Sequence, residues 1–485
     1  MDQSVRYTPE EAISAMGFGK FQGLLLVYAG LGWISEAMEM MILSFIGVAV
    51  QSEWGLSPAE ESLITSVVFA GMVVGCYFWG IISDAYGRRK GFIGVTVVAV
   101  VSGICSAFSP NYILFLVSRC ILGFGVGGGL VFGAWYLEFI PTANRGAWVL
   151  VLTGFWSFGS VAEALLAWIV MPRYGWRWLL ALSCLPSVFV LLLSWLTPES
   201  PRYLCVKGKI EEAHKILETV AKFNHAKLPP GVLVLDQTKN LDEENSPLLD
   251  ASLLSSAREK KCSSETCLSS LSIIFSSKLR RTTILLWFLY FANTFSYYGI
   301  VLLTSELSNS QTNCSPTTNF TKKAKDASLY RDVFISTLAD LVGLVVSAVI
   351  VDRLGRKLTM KIFCVLCFIL LLPLIVHQNE TVTTALLFGS RMFIMSTFTV
   401  VVVYSREVYP TSVRATGVGS ATSIGRIGGM ICPLVAVGLV RDCHQTAAIL
   451  LFEAVIVLVG CGIFFLSLET SGKGLSDTTP ESDEE

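Results

Sequence analysis

The chain carries the same ordered motifs twice, and this duplication constrains its fold more than any other feature. Residues 80–90 (GIISDAYGRRK) return as residues 348–357 (AVIVDRLGRK). Residues 138–146 (EFIPTANRG) return as residues 407–415 (EVYPTSVRA). The spacings agree, since 352 − 84 = 268 and 407 − 138 = 269. Matches in one order at one spacing indicate two homologous halves.

A third pair of motifs supports the same interpretation. Residues 198–202 (PESPR) match residues 469–473 (ETSGK), with 469 − 199 = 270. Both halves are mostly apolar: hydrophobic residues make up 53% of the chain, charged residues only 15%, and the mean hydropathy is +0.62. Duplicated apolar halves are typical of secondary transporters built from two parallel repeats. The net charge of −1 argues against nucleic acid as a partner.

Twelve segments are long and apolar enough to cross a bilayer, six in each repeat. They lie at about 21–48, 61–83, 92–109, 112–137, 147–171, 178–197, 283–306, 331–351, 358–376, 382–405, 415–440 and 446–467. The sequence therefore predicts an all-α membrane protein of two pseudo-symmetric six-helix bundles.

The interruptions between these segments predict the domain boundaries. We expect an N-terminal bundle over 1–197, a cytoplasmic linker over 198–280, a C-terminal bundle over 281–470 and an acidic cytoplasmic tail over 471–485. The linker contains one amphipathic stretch, at 210–223, followed by a polar segment typical of disorder.

The distribution of basic residues predicts the orientation. Loops on one side carry the arginines and lysines of the repeated motifs, so the positive-inside rule places that side and both termini in the cytoplasm. The N-x-[ST] sequons at Asn313, Asn319 and Asn379 all fall in loops expected outside, as glycosylation would require. Cys314 and Cys443 also fall in outside loops, where a disulfide between them is one option.

The repeated motifs resemble those of the major facilitator superfamily over the whole chain. The pattern G-x-x-x-D-x-x-G-R-[RK] follows the second and eighth segments, and PESPR at 198–202 is similar to the sugar-porter and organic-ion branch. Glu36-Ala-Met-Glu39 and Gly425-Arg-Ile-Gly428 resemble a sub-branch of synaptic-vesicle-like proteins, bacterial nicotinate transporters and plant organic cation/carnitine transporter-like proteins. The resemblance implies alternating-access transport, with nicotinate and its N-methyl derivative trigonelline as expected substrates.

Charged residues inside a bilayer are costly and therefore informative. Glu36 and Glu39 lie three residues apart in the first segment, so we expect both on one helix face, where a carboxyl can load and release a proton. Arg426 lies among glycines in the eleventh segment. Its planar guanidinium suits a substrate carboxylate, although pairing with Glu36, Glu39 or Asp340 is the alternative.

Further candidates could bind substrate or protons from neighbouring segments. Asp340 and Glu163 could join a proton relay or make structural hydrogen bonds. The remaining candidates offer aromatic faces or hydrogen bonds to a pyridine ring, and packing is the alternative for each: Asn293, Tyr297, Tyr298, Trp33, Phe155 and Trp156.

Opposite charges at the cytoplasmic ends of the helices predict a gate, because they can pair when that face closes. Static anchoring is the alternative. The first half contributes Asp84, Arg88, Arg89, Arg119, Glu138, Arg145, Glu199 and Arg202. The second half contributes Asp352, Arg356, Arg391, Glu407 and Arg414.

Three functions remain open from the sequence: a proton-coupled carrier of a small aromatic carboxylate or betaine, an organic cation or carnitine carrier, and a non-transporting membrane receptor or scaffold. We expect no cofactor, no metal and no enzyme activity, and a monomer whose partners are a small organic ion, the proton and the lipid bilayer. The sequons imply passage through the secretory route, and residues 244–249 fit a [DE]-x-x-x-L-L sorting pattern. We favour the plasma membrane, with the tonoplast or another endomembrane as the alternative.

Overall fold

The computed structural model describes residues 6–141, 145–234, 274–276, 279–310, 322–376, 378–409, 413–441, 445–466 and 469. Within these ranges the chain is almost entirely helical. In the first half the helices are α1 (Pro9–Met16), α2 (Lys20–Met41), α3 (Leu43–Trp54), α4 (Pro58–Tyr86), α5 (Arg88–Ala107), α6 (Tyr112–Val126), α7 (Leu130–Leu137), α8 (Arg145–Tyr174), α9 (Trp176–Ser183), α10 (Leu185–Leu193), α11 (Pro201–Val206) and α12 (Ile210–Phe223).

The second half contributes six long helices. They are α13 (Arg280–Ser310), α14 (Lys322–Leu354), α15 (Arg356–Leu371), α16 (Glu380–Val408), α17 (Arg414–Arg441) and α18 (Gln445–Phe464). Twelve helical segments of the described chain are long and apolar enough to cross a membrane, which confirms the predicted number. Two of them are interrupted: α6 and α7 are separated by a 3₁₀ turn at Gly127–Gly129, and α9 and α10 by Cys184.

The repeated D-x-x-G-R motifs form the tight turns between consecutive spanning helices. Gly87 ends α4 with φ +110°, and Gly355 ends α14 with φ +80°. Glycine alone adopts such backbone angles without a steric penalty. The next residue, Arg88 or Arg356, begins the following helix, so the motif reverses the chain within one residue in both halves.

The two halves meet along two pairs of spanning helices. α4 packs against α17, and α8 packs against α14. These pairs are the second with the eleventh span and the fifth with the eighth, as a pseudo-twofold arrangement of two repeats requires. A hydrogen bond from Ser66 Oγ of α4 to the carbonyl oxygen of Met430 on α17, at 2.9 Å, fixes the first contact.

A small layer of short elements covers one end of the first half. The strand β1 (Arg6–Tyr7) pairs in parallel with β2 (Val232–Leu233), and α1 packs against α12 and α11. The Asn224 side chain accepts a hydrogen bond from the Phe21 N–H at 2.9 Å and donates one to Gln22 at 2.7 Å. The first part of the expected linker is therefore folded onto the start of α2.

Candidate functional site

An ion pair at the centre of the protein joins the two halves. Nη2 of Arg426, on α17, donates to Oε1 of Glu36, on α2, at 3.1 Å. The side chains are only 14% and 7% exposed. Of the partners that the sequence left open for Arg426, the structure selects Glu36.

Glycine residues make room for this pair. A Cβ atom at Gly129 would overlap the carboxylate of Glu36, and one at Gly429 would overlap the ring of Phe69. Gly129 closes the 3₁₀ turn between α6 and α7. The glycine-rich stretch of the fourth span therefore serves close packing, and at Gly129 it accommodates a carboxylate of the candidate site.

The guanidinium of Arg426 retains hydrogen-bonding capacity beyond its bond to Glu36. Its Nε–H is buried and has no hydrogen-bond acceptor among the described residues. Tyr298 and Cys76 lie close enough to interact with the charge. A buried donor without an acceptor is costly, so this one suits a further acceptor such as a carboxylate oxygen of a ligand.

Aromatic and thioether side chains line a small cavity between the halves. Trp156 of α8 faces Tyr297 and Tyr298 of α13, with Met40 and Met41 of α2 on the third side. The cavity has room for about one water molecule, so an organic ion can enter only if the helices move apart.

The two remaining aromatic candidates, Trp33 and Phe155, contact other residues of the first half. The rings of Trp33 and Trp156 form an edge-to-face pair with centroids 6.2 Å apart. The Trp33 Nε1–H has no acceptor among the described residues. Phe155 packs against Gly30 on α2.

Glu39 has a different partner from Glu36. Its Oε2 accepts from Nη1 of Arg119, on α6, at 3.1 Å, and both side chains are at most 3% exposed. Cys184, at the junction of α9 and α10, lies 3.7 Å from Oε1 of Glu39. The two carboxylates on α2 thus have partners in different halves: Glu36 pairs with Arg426 of the second half, and Glu39 pairs with Arg119 of the first half.

Glu163 completes a buried cluster with Glu39 and Arg119. It is fully buried on α8 and interacts electrostatically with both residues. Ser183 Oγ, on α9, lies 2.8 and 2.9 Å from the two carboxyl oxygens of Glu163.

A second buried cluster lies in the C-terminal half. Arg391, on α16, donates to both carboxylate oxygens of Asp340, on α14, at 2.7 and 3.0 Å. Tyr297 donates to Oδ2 of Asp340 at 3.0 Å, which occupies its hydroxyl. Arg391 also lies 3.6 Å from the sulfur of Met41 in the first half. The nearby Asn293 donates to the carbonyl oxygen of Leu289 at 2.8 Å.

The positions of Arg119 and Arg391 correct their assignment to the cytoplasmic gate. Each follows a serine, at Ser118 and Ser390, and the spacing of 391 − 119 = 272 is close to that of the repeats. Both are fully buried and paired with carboxylates inside their own half. The sequence grouped them with the gate as repeat partners of one another, and depth in the membrane cannot be read from a repeat position.

Several other gating candidates of the first half pair with one another where α4 turns into α5. Arg88 pairs with Glu138 at 2.9 Å and with Asp84 at 2.5 Å. The Glu199 carboxylate accepts from the Arg89 backbone N–H at 3.1 Å. Arg202 is exposed on α11 and Arg145 begins α8.

The second half repeats this arrangement. Arg356 pairs with Glu407 at 2.8 Å. Glu469 accepts from the backbone N–H groups of Arg356 and Lys357 at 2.9 and 3.1 Å, as Glu199 does in the first half. Carboxylates at helix N-termini are stabilised by the helix dipole. Each cluster thus connects helices of one half. Of the remaining gating candidates, Asp352 lies near the end of α14 and Arg414 begins α17.

Some residues that the sequence predicts to be modified or cross-linked are not among the described residues. Asn313, Asn319, Cys314 and Cys443 lie outside the described residues. Asn379 is exposed directly before α16. Glycosylation and the disulfide stay predictions.

Sequence reasoning overlooked several polar residues in apolar helices. Ser183 and Cys184 gave no signal, because small polar residues are common in such helices. Glu453, on α18, is 4% exposed, and neither carboxyl oxygen has a hydrogen-bond partner among the described residues. It could have been found by the rule that identified Glu36, since it is a charge inside an apolar segment.

Twelve spanning helices in two related halves, with a buried ion pair between the halves, define a secondary transporter of the major facilitator type. The chain matches the family of sugar (and other) transporters over residues 21–481, and it belongs to this family.

Relatives cover the full chain. It is 52% identical to an organic cation/carnitine transporter 7 of Arabidopsis thaliana, over 100% of this chain and 98% of that protein. It is 40% identical to a synaptic vesicle 2-related protein of Xenopus laevis, over 97% of this chain and 82% of that protein. Among solved structures it resembles a partially occluded, inward-open xylose transporter XylE from E. coli, with TM-score 0.70, 19% identity and coverage of 94% and 100%. That structure shows the likeness of fold.

Proposed function

We propose that the chain is a proton-coupled transporter of a small aromatic carboxylate or betaine, such as nicotinate or trigonelline. The observation that carries the proposal is the ion pair between Glu36 and Arg426 across the two halves. A substrate carboxylate and the Glu36 carboxylate compete for the same guanidinium. Arginine binds a carboxylate with two parallel N–H groups, and the unpaired Nε–H of Arg426 supplies the second donor.

Competition for Arg426 couples the substrate to a proton. When a substrate carboxylate replaces Glu36, the buried Glu36 loses its counter-charge. An unpaired buried carboxylate is costly, so Glu36 takes up a proton as the substrate binds. Substrate and proton then move together when the halves change orientation. Linkage requires that substrate binding and proton binding favour each other.

The aromatic residues beside Arg426 suit a pyridine ring. Trp156, Tyr297 and Tyr298 line the central cavity, and Tyr298 interacts with the Arg426 charge. Aromatic faces stack on neutral rings and add a cation–π attraction for a methylpyridinium. A carboxylate fixed on Arg426 places the ring next to these faces.

The cytoplasmic clusters support alternating access in this proposal. Arg88 with Glu138 and Arg356 with Glu407 hold neighbouring helices of each half together. Each half then moves as a rigid body, and the α4–α17 and α8–α14 contacts are the surfaces that rearrange. Arg145, Asp352 and Arg414 stay candidate members of these clusters by their repeat positions.

A second candidate function is transport of an organic cation or carnitine. The relative that is 52% identical is an organic cation/carnitine transporter 7. In that case Glu36 would attract the substrate cation, and Arg426 would hold Glu36 in place until the cation arrives. A non-transporting receptor is distinguished from both by uptake in a reconstituted membrane.

Inhibition of labelled nicotinate uptake by nicotinate, nicotinamide and choline distinguishes the first two candidates. The protein is purified and reconstituted in vesicles, and wild type is compared with R426K and R331K. Arg331 pairs with Asp332 near the start of the eighth span, on α14, and serves as the matched control. We expect nicotinate to inhibit far better than nicotinamide or choline, and R426K alone to lose nicotinate affinity. Equal inhibition by choline would transfer the assignment to the organic cation.

The membrane in which the protein works is a further proposal. We favour the plasma membrane, with the tonoplast or another endomembrane as the alternative. A fluorescent fusion observed with and without changes at Leu248 and Leu249, in the sorting pattern, tests both. Movement to the plasma membrane after these changes would identify an internal membrane as the normal location.

A further inference from the structure

We propose that Glu163 carries an exchangeable proton, so that a second protonation site in the N-terminal half contributes to proton coupling. This inference rests on the proposed function, because it requires transport to be proton-coupled. It concerns a carboxyl 127 residues from Glu36 along the chain (163 − 36 = 127) and on a different helix.

The hydrogen bonds around Ser183 indicate that Glu163 is neutral in this conformation. Ser183 Oγ lies 2.7 Å from the carbonyl oxygen of Leu179 and 2.8 and 2.9 Å from the two carboxyl oxygens of Glu163. A hydroxyl has one hydrogen to donate. If Glu163 is protonated, it donates to Ser183 Oγ, and the serine hydrogen remains for Leu179. An ionised Glu163 would leave two of these three oxygen pairs without a hydrogen between them, whereas the neutral acid leaves only one.

The charges in the cluster lead to the same conclusion. Arg119 is the guanidinium that pairs with Glu39, and Glu163 lies beside both. These side chains are between 0% and 3% exposed. Two carboxylates and one guanidinium would bury a net negative charge, which is unfavourable in a low-dielectric interior. One proton removes that charge. We infer that Glu163 carries the proton, because Glu39 already forms an ion pair with Arg119.

The surroundings of Glu163 are defined on each helix that contributes to the cluster. Glu39 faces it from α2, Arg119 from α6, Ser183 from α9 and Cys184 from the junction with α10. These are the charged and titratable groups that interact with it in the described part of the chain. Loss of its proton would leave Arg119 to serve two carboxylates.

The location of Glu163 connects this proton to the transport cycle. It lies on α8, which packs against α2 within its half and against α14 of the other half. A rearrangement of the α8–α14 contact therefore changes the burial and the neighbours of Glu163. In one orientation the carboxyl loses its proton to water, and in the other it is reloaded from the opposite side.

Nicotinate accumulation in vesicles under an imposed pH gradient tests the inference, with the membrane potential held at zero. Each coupled proton adds about tenfold to the accumulation ratio per pH unit. E163Q mimics the neutral carboxyl, so we expect exchange of internal for external nicotinate at the wild-type rate. We expect its accumulation to fall by about tenfold per pH unit of gradient. E453Q, at a buried glutamate of the C-terminal half, is the matched control and should accumulate like wild type.

Each outcome of this experiment decides one question. Accumulation by E163Q equal to that of wild type overturns the inference and leaves proton coupling intact. Loss of exchange in folded E163Q also overturns it, because the residue would then be needed for more than its proton. Wild-type accumulation that is independent of the pH gradient contradicts the proposed coupling itself, and the inference falls with it.

Discussion

Glu36 and Arg426 are 390 residues apart in the chain, yet Oε1 of one lies 3.1 Å from Nη2 of the other. The pair joins the first span of one half to the fifth span of the other, and both side chains are mostly buried. An ion pair across two bodies that must move relative to each other has to break or adapt in every cycle. This requirement makes it the natural place for substrate binding and proton binding to meet.

The Glu39–Arg119 pair should be important for stability. E39Q removes the carboxylate that pairs with Arg119, and breaking a buried pair typically costs about 3–5 kcal/mol. E163Q should cost far less, because it replaces a carboxyl that we infer to be neutral. Thermal unfolding of the detergent-purified variants would compare them. Equal destabilisation would show that Glu163 is ionised in the resting protein.

Gly129 should be intolerant of a side chain. In G129A the added Cβ overlaps the Glu36 carboxylate and displaces it from Arg426. We expect nicotinate affinity and its pH dependence to change, while the helices still assemble. G133A is the control one turn further along α7, where the added Cβ makes only ordinary contacts with Trp33 and Leu152 at 3.7 to 4.0 Å. If G129A and G133A bind nicotinate identically, Glu36 is not positioned by this contact.

The Arg88–Glu138 and Arg356–Glu407 clusters should affect the rate of transport and not substrate affinity. E138Q removes the Arg88 partner and E407Q removes the Arg356 partner. Either change should alter the balance between conformations by about 1–3 kcal/mol, the scale of a typical allosteric coupling. Turnover is measured in vesicles and nicotinate binding in detergent. E212Q, which breaks an exposed pair with Lys209, is the control. A loss of binding in folded E138Q would contradict this assignment.

Glu53, near the end of α3, should make the thermal stability of the protein sensitive to acid. Burial raises its pKa, but hydrogen bonds from Trp176 and Arg177 outweigh this and lower the pKa below the usual value. A lowered pKa in the folded state stabilises the protein above the unfolded-state value, about 4.3, and this contribution is lost as the pH falls through the folded-state pKa. E53Q should therefore lose less thermal stability than wild type between pH 5 and the acid limit, roughly pH 3. Parallel curves would show that Glu53 does not contribute.

The sequence predicted the number of spans and the duplication because both depend on local composition and on spacing along the chain. It also identified functional candidates that lie in apolar segments, because a charged residue inside a bilayer is costly. They are Glu36, Glu39, Arg426, Asp340 and Glu163. It did not predict the partners. The i, i+3 spacing of Glu36 and Glu39 suggested a shared role, whereas they face Arg426 and Arg119 on different helices.

Partner choice could not be predicted because it depends on how helices rotate and on where glycines let them approach. Gly129 illustrates this point: its importance comes from the Glu36 carboxylate that rests against it, and no local pattern encodes that contact. The fold of residues 201–234 onto the start of α2 was missed for a similar reason, since the Asn224 hydrogen bonds, the Phe21–Phe223 ring contact and the β1–β2 pairing that connect them join residues about 200 positions apart.

The most direct test of the central claim is the number of protons taken up when nicotinate binds. The purified protein is mixed with nicotinate in weakly buffered solution, and the pH change is followed with an indicator dye for wild type and E36Q. If the substrate carboxylate displaces Glu36 from Arg426, wild type should take up about one proton per nicotinate bound near neutral pH, and E36Q should bind nicotinate without taking up protons. Equal proton uptake by wild type and E36Q, or none by either, would contradict the account.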